Sequence, residues 1–143
     1  MMGDGEGLRG LATGSEWNNV TEVVIGAAFK VLNAMGTGFL EKVYENALAV
    51  EPTSRGVSFE QQKAVPVRYR GVVVGEYFAD LIVAGTVIVE LKCTKEHHEV
   101  FVAQCLNHLK ATGLPLCLLL NFGKPQLEIH RLRSPHFKDQ TIT

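Results

Sequence analysis

Hydrophobic positions recur along the first third of the chain with the period of a helix. From Val20 to Met35, apolar residues return every three or four positions, which predicts a helix with one buried face. Asn19 is expected to cap its start and Gly36 to end it. A second apolar stripe predicts a helix over residues 39–51, which Pro52 would end because proline cannot donate the next helical hydrogen bond.

The pattern changes to that of strands between Ser58 and Lys92. Apolar residues alternate with other residues around Val65, and Gly71 marks a turn. Two later runs, 81–83 and 87–89, are apolar without alternation, which is typical of central strands that are covered on both faces. We therefore predict three strands, the first near 65–69, the second formed by the pieces 72–74 and 77–83, and the third over 87–92.

The remaining pattern predicts a third helix over residues 96–112, followed by strands at 116–122 and 127–132. The element order α-α-β-β-β-α-β-β favours an α/β sandwich with a mixed sheet. A chain of 143 residues, 46% of them hydrophobic, is typical of one globular domain. We place that domain at 17–133, between a flexible leader at 1–16 and a polar tail at 134–143.

Charge and cysteine content exclude several classes of protein. Fourteen Lys and Arg against fifteen Asp and Glu give a net charge of −1, which excludes a polycationic, histone-like protein but leaves room for a local basic patch. The three cysteines form no C-x-x-C pair, so neither a zinc ribbon nor a disulfide framework is indicated. Without a long apolar run or a signal peptide, the sequence predicts a cytoplasmic protein with no membrane segment.

Charged residues interrupt two strands that otherwise look buried. Asp80 begins the 81–83 run, and Glu90 and Lys92 end the 87–89 run. A three-residue loop between the two runs would place Asp80 directly opposite Glu90, with Cβ atoms about 4.5–5.5 Å apart. Lys92 lies two residues further along and points to the same face.

Two carboxylates so close together repel each other and favour a cation between them. Hard oxygen ligands suit Mg²⁺ or Mn²⁺, which keep several waters and accept a substrate phosphate. With a lysine beside them, the set fits metal-assisted hydrolysis of a phosphodiester. The alternative from spacing alone is a buried ion pair between Lys92 and Asp80 or Glu90, as in a dimeric structural or regulatory protein.

The order of these motifs resembles a known enzyme superfamily. Asp80 with Glu90-Leu91-Lys92 is similar to the catalytic signature of the PD-(D/E)XK nucleases, although Ala79 stands where the superfamily name has proline. The segment Gly38-Phe39-Leu40-Glu41-Lys42-Val43-Tyr44 resembles the motif of the GxxExxY family within that superfamily. The resemblance continues through Gln104 and residues 118–122, and so spans most of the chain.

The resemblance implies a restriction endonuclease-like three-layer sandwich, with a mixed central sheet flanked by helices and the core order α-β-β-β-α-β. It also implies a set of site residues. The metal ligands would be Asp80, Glu90, the backbone carbonyl of Leu91 and Glu41, Lys92 would be the catalytic lysine, and Gln104 would be a polar catalytic residue on the following helix. Tyr44 would support the site by holding Glu41 or a phosphate, unless it is a plain core aromatic. His108 shares a helix face with Gln104, and we expect it to be a packing or surface residue.

The implied cofactor is Mg²⁺ or Mn²⁺, and the implied partner is DNA or RNA. Basic residues near the predicted site are candidates for phosphate contacts, although ordinary surface charge is the simpler interpretation for most of them. These residues are Lys63, Arg68, Arg70, Lys92, Lys95, Lys110 and Lys124. The alternative function is a catalytically weak module that binds nucleic acid or protein on a nuclease fold. Small nucleases often pair to cut two strands, so a homodimer is expected by analogy.

Overall fold

The computed structural model describes residues 14–51, 56–96 and 99–135. It contains three helices and five strands in these ranges, in the order that the sequence predicts. The helices are α1 (Gly14–Met35), α2 (Glu41–Val50) and α3 (Glu99–Thr112). The strands are β1 (Phe59–Tyr69), β2 (Val72–Val83), β3 (Val87–Lys92), β4 (Leu116–Asn121) and β5 (Glu128–Arg133).

The five strands form one mixed sheet in the order β1-β2-β3-β4-β5. The pairs β1/β2, β2/β3 and β4/β5 are antiparallel, and β3/β4 is parallel. A parallel pair needs a crossover connection, and helix α3 provides it between β3 and β4. Strand β3 therefore lies at the centre of the sheet, with a neighbour on each side.

Helices cover both faces of this sheet and produce two separate apolar cores. On one face α1 and α2 pack on alternate residues of the central strands, among them Val87, Val89 and Leu91. On the other face α3 packs on the intervening residues, among them Ile88 and Leu119. This is the predicted three-layer sandwich, and it places the even-numbered side chains of β3 under α3.

The hairpin between β2 and β3 has the predicted register. Residues Ala84, Gly85 and Thr86 form the loop, and Val83 pairs with Val87. The turn closes through a hydrogen bond from the Thr86 N–H to the Val83 carbonyl, 3.1 Å, and it requires positive φ at Ala84 (54°) and Gly85 (66°). Because this loop has three residues, the facing positions of the two strands are fixed as expected.

Several predicted boundaries differ from the structure. Helix α1 begins at Gly14 and runs through Asn19, so the cap predicted at Asn19 is wrong; the buried Trp17 extends the apolar face towards the N-terminus. Helix α2 begins at Glu41 rather than at residue 39. Strand β1 starts at Phe59. Strand β2 is continuous where two pieces are predicted, because pairing with β1 keeps the residues between those two pieces in the ladder.

Most of the leader and the tail lie outside the described residues, and the domain bounds stay predictions. Within the described ranges, no helix combines the length and the apolar character needed to cross a membrane. The cytoplasmic location and the homodimer also stay predictions.

Candidate active site

Asp80 lies where the ladder between β2 and β3 ends. The last pair of this ladder is Leu81 with Val89, and beyond it the backbone of the two strands no longer pairs. The Asp80 carboxylate accepts a hydrogen bond from the Leu91 N–H instead, with 2.9 Å between Oδ2 and the nitrogen. The aspartate thus ties the end of β2 to β3, one residue beyond Glu90.

Glu90 is a buried carboxylate on the α3 face of β3, with 7% of its surface exposed. Its Oε2 lies 2.6 Å from Nδ1 of His108 on α3. Burial raises the pKa of Glu90, and the negative charge of Asp80 raises it further, while the hydrogen bond with His108 acts in the opposite direction. Asp80 and Glu90 are therefore close enough for their charges to interact, although the ladder that would place them directly opposite each other ends one pair earlier, at Leu81 and Val89.

Lys92 lies on the same side of the sheet but does not pair with either acid. Its ammonium nitrogen is 4.6 Å from the centre of the Phe101 ring on α3, a cation–π contact. No ion pair joins Lys92 to Asp80 or Glu90 in the structure, and Glu90 pairs with His108. The interpretation of these residues as a purely structural Lys–carboxylate pair is therefore wrong.

Glu41 and Tyr44 have separate functions at the start of α2. Glu41 Oε2 accepts a hydrogen bond from the Cys93 N–H, 3.2 Å, just beyond the end of β3. The buried Tyr44 donates its hydroxyl to the Gly36 carbonyl, 2.5 Å, and its ring stacks on Phe122 at 4.6 Å. Tyr44 holds the turn that precedes Glu41, and its hydroxyl does not contact the Glu41 carboxylate.

Gln104 is exposed on α3, one turn before His108, and its side chain makes no hydrogen bond to another described residue. His108 was expected to be a packing or surface residue, and it does pack, but it also binds Glu90, which the sequence did not predict. Its ring also stacks on Tyr77 with 4.0 Å between centroids. The sequence showed that Gln104 and His108 lie on one helix face, but it did not show which of the two side chains contacts the sheet.

Sequence reasoning also missed a second buried carboxylate, Glu45, on α2. It accepts hydrogen bonds from Lys42, from Gln61 at 2.8 Å and from Gln62 at 2.9 Å. Gln62 also approaches Asp80, with 3.4 Å between Nε2 and Oδ1. Glu45 is four residues after Glu41 and so shares its helix face, which was the signal in the sequence.

Gln62 reaches both carboxylates because its backbone departs from the regular ladder. Gln61 pairs with Leu81 and Lys63 with Ala79, while Gln62 itself has a φ of 51° and no pair. A non-glycine residue in this conformation is uncommon and re-aims its side chain. Its amide thereby connects Glu45 on α2 with Asp80 in the sheet.

The donor set fits a hard divalent cation held by two protein carboxylates. Mg²⁺ is commonly bound through one or two carboxylates and keeps several waters, so Asp80 and Glu90 suffice. A cation between them would also offset the repulsion that raises the pKa of Glu90. Across the described ranges, no three or more His, Cys, Asp or Glu side chains are arranged around one metal position, so a zinc-type cage does not fit.

Comparison with known proteins identifies the family. The model of the PD-(D/E)XK nuclease superfamily matches residues 18–132, and the chain belongs to that superfamily. Nucleases of this superfamily generally use divalent metal ions, and the assignment implies a nucleic-acid substrate. The predicted superfamily and fold class are thus confirmed. No curated protein matches the chain.

Similar solved structures include an alkaline exonuclease (LHK-Exo) from Laribacter hongkongensis. It is 15% identical, with a TM-score of 0.44, and the match covers 85% of this chain and 84% of that one. Another is SSO0001, which is 16% identical with a TM-score of 0.46. That match covers 90% of this chain and 63% of SSO0001.

Proposed function

We propose that this protein is a metal-dependent phosphodiesterase that hydrolyses DNA or RNA at the site of Asp80 and Glu90. The observation that carries the proposal is the pair of interacting carboxylates at the point where β2 and β3 separate. Repelling carboxylates cost stability, and a protein that keeps them together favours a cation there. The finer assignment to the GxxExxY family belongs to this proposal and rests on the segment from Gly38 to Tyr44.

In this proposal Asp80 and Glu90 hold Mg²⁺ or Mn²⁺, and the Leu91 carbonyl is a further candidate ligand. Glu41, which the resemblance implies as a ligand, does not join these two acids around one metal position in the described part of the chain, and it accepts the Cys93 N–H instead. When bound, the ion would polarise a phosphate oxygen and lower the pKa of a coordinated water. Lys92 supplies the positive charge that stabilises the extra negative charge on phosphorus during water attack. Gln104 is a candidate polar contact to the substrate from α3.

In this proposal His108 and Gln62 orient the carboxylates of Glu90 and Asp80. His108 fixes one oxygen of Glu90, which leaves the other oxygen for a ligand. Gln62 holds Oδ1 of Asp80, and the Leu91 N–H holds Oδ2. Both carboxylates are thereby oriented by neighbours that are not themselves acids.

A second candidate function is a catalytically weak module that binds nucleic acid. The contact of Lys92 with the Phe101 ring favours it, because an ammonium group engaged there does not contact the acids. The two functions differ in whether hydrolysis depends on Lys92.

The test is cleavage of matched single- and double-stranded DNA and RNA with Mg²⁺ or Mn²⁺. We expect wild-type cleavage that EDTA abolishes and that falls by about a thousandfold in Glu90→Gln and Lys92→Ala, the scale of losing a group that stabilises the transition state. Lys30→Ala, which removes an exposed lysine of α1, is the matched control and should keep full activity. Equal degradation by all four proteins would identify a contaminant and overturn the proposal, and binding without cleavage would favour the weak module.

A further inference from the structure

A cavity of about 690 Å³ lies between strand β1, strand β2 and helix α3. It is on the side of the sheet that carries Glu90, because α3 covers that side. Its polar lining comes from Arg68, Tyr77, Asn107 and Lys110. None of these residues holds the metal ion or acts on the scissile phosphate in the proposed function, so the cavity is a separate feature of the same face.

Two stacked rings connect this cavity to the candidate active site. Tyr77 lines the cavity and stacks on His108, with 4.0 Å between the ring centroids. His108 in turn lies 2.6 Å from Glu90. A strand that enters the carboxylate site from this side would therefore pass directly over the cavity.

The cavity carries positive charge that no acidic side chain of the described ranges neutralises. Arg68 and Lys110 form no ion pair with another described residue. The lysines at 42, 63 and 124 each pair with a glutamate in the structure. Uncompensated Arg and Lys side chains that converge on one cavity suit a phosphate group, which Arg can bind through two parallel hydrogen bonds.

Arg68 lies beside a shift in the register of the outer hairpin. The pairing of β1 with β2 changes by one residue between Val67 and Arg68, so that Val67 pairs with Gly75 and Arg68 with Val73. The extra residue, Val74, is on β2, and a bulge of this kind bends the strand that carries it. Next to this irregularity, Arg68 lines the same cavity as Lys110 on the helix that covers the sheet.

The ring of Tyr77, rather than its hydroxyl, lines the cavity. The hydroxyl is shielded from solvent and has no partner among the described residues. Burial, followed by the nearby charge of Glu90, raises the pKa of Tyr77 to about 12, so the hydroxyl keeps its proton at neutral pH. Tyr77 therefore adds no negative charge to the cavity.

We propose that this cavity is a second phosphate subsite, in which Arg68 and Lys110 hold a backbone phosphate of the nucleic-acid strand beyond the one that is hydrolysed. The proposal rests on the proposed function, since the strand is the substrate of the Asp80–Glu90 site. The subsite positions the strand, and Asn107 donates a hydrogen bond to its phosphate or sugar oxygens. It takes no part in the bond cleavage itself.

The first test measures binding without metal, so that it does not depend on cleavage. Labelled single-stranded DNA and RNA are titrated in EDTA at several salt concentrations with wild type and with Arg68→Gln/Lys110→Gln. We expect weaker binding by the variant and a salt slope reduced by about 1.4, since each phosphate contact on a single strand contributes roughly 0.7. Lys30→Gln/Arg131→Gln is the matched control: it removes one lysine and one arginine that are exposed outside the cavity, Lys30 on α1 and Arg131 in contact with Asn18 of the same helix, and it should bind like wild type.

The second test separates strand positioning from chemistry. The double variant should raise KM for an oligonucleotide and leave kcat unchanged, and it should hydrolyse bis(p-nitrophenyl) phosphate, which has one phosphate only, as wild type does. Asn107→Ala removes an exposed polar side chain of the cavity and should weaken strand binding by about fivefold, the scale of one lost hydrogen bond. Circular dichroism checks that the variants fold, as expected for the exposed Arg68 and Lys110.

The outcomes distinguish the subsite from the proposed function. If wild type cleaves but the double variant and the control lose the same affinity, the subsite is overturned and the nuclease stands. If the double variant alone loses affinity and no protein cleaves, the nuclease fails and the strand-binding cavity is supported. Equal binding by wild type and double variant, or no binding by wild type, also overturns the subsite.

Discussion

The backbone N–H of Leu91 donates to the Asp80 carboxylate over 2.9 Å, so one aspartate both ends the β2/β3 ladder and lies beside Glu90. The hydrogen bond from Leu91 needs only an acceptor oxygen at position 80, whereas the interaction with Glu90 depends on the negative charge of the carboxylate. An asparagine at this position retains an oxygen that accepts the Leu91 hydrogen bond but removes the negative charge. An alanine removes both.

We therefore expect Asp80→Asn to fold like wild type and to lose binding of divalent ions. Mn²⁺ or Mg²⁺ should raise the melting temperature of wild type, because ligand binding to the folded state adds about 2.7 kcal/mol at one hundred times the Kd. Asp80→Asn and Glu90→Gln should show no such rise in differential scanning fluorimetry. Glu60→Gln, an exposed glutamate of β1, is the control and should keep it. A full metal-induced rise in Asp80→Asn would contradict Asp80 as a ligand.

The buried pair of Glu90 and His108 leads to a second prediction. His108→Ala leaves Glu90 without its partner and should lower the free energy of unfolding by about 1–3 kcal/mol in EDTA at neutral pH. The cost should be smaller when Glu90 is already glutamine, because no buried charge is then left unpaired. Urea unfolding of the four proteins in this double-mutant cycle measures the coupling. Additive effects would show that the contact does not contribute to stability.

The sequence predicts the part of the site that depends on local rules. The hairpin register follows from a three-residue loop and the period of a strand, so the juxtaposition of Asp80 and Glu90 was accessible from spacing alone. The residues that bind these two acids could not be predicted from spacing. His108 reaches Glu90 only through the packing of α3 on the sheet, and Gln62 reaches Asp80 only through an irregular φ. Contacts of this kind depend on tertiary packing, which periodicity does not encode.

Glu45 gives a third prediction, because it is a buried carboxylate with several donors around it. Glu45→Ala leaves the amides of Gln61 and Gln62 without this acceptor and should reduce the free energy of unfolding by about 1–3 kcal/mol. Lys42→Ala removes an exposed partner of the same carboxylate and should cost less than about 1 kcal/mol. Chemical denaturation compares the two variants. A larger loss in Lys42→Ala would show that the lysine, rather than the two glutamines, satisfies Glu45.

Tyr44 leads to a prediction about the turn before α2. Tyr44→Phe keeps the stack on Phe122 but removes the hydroxyl that bonds the Gly36 carbonyl, and we expect a loss of about 1 kcal/mol in stability. Tyr69→Phe removes the hydroxyl of an exposed tyrosine and should be neutral. Thermal unfolding measures both. An unchanged melting temperature in Tyr44→Phe would show that the turn holds without this hydrogen bond.

The reactivity of the Cys93 thiol should depend on the nearby carboxylate of Glu41. Burial raises the pKa of the Cys93 thiol to about 11, and the negative charge of Glu41 contributes to the rise. Because the thiolate is the reactive form, alkylation of the folded protein should be slow at mildly alkaline pH and should accelerate as the pH rises towards 11. Glu41→Gln removes the charge but not the burial, so it should lower the pKa of Cys93 only in part and speed alkylation at a given pH.

Cys105 and Cys117 are buried, so mass spectrometry should find the label at Cys93 first. Glu22→Gln, an exposed change on α1, should leave the rate unaltered, and an equal acceleration in this control would show that the carboxylate of Glu41 does not act on Cys93.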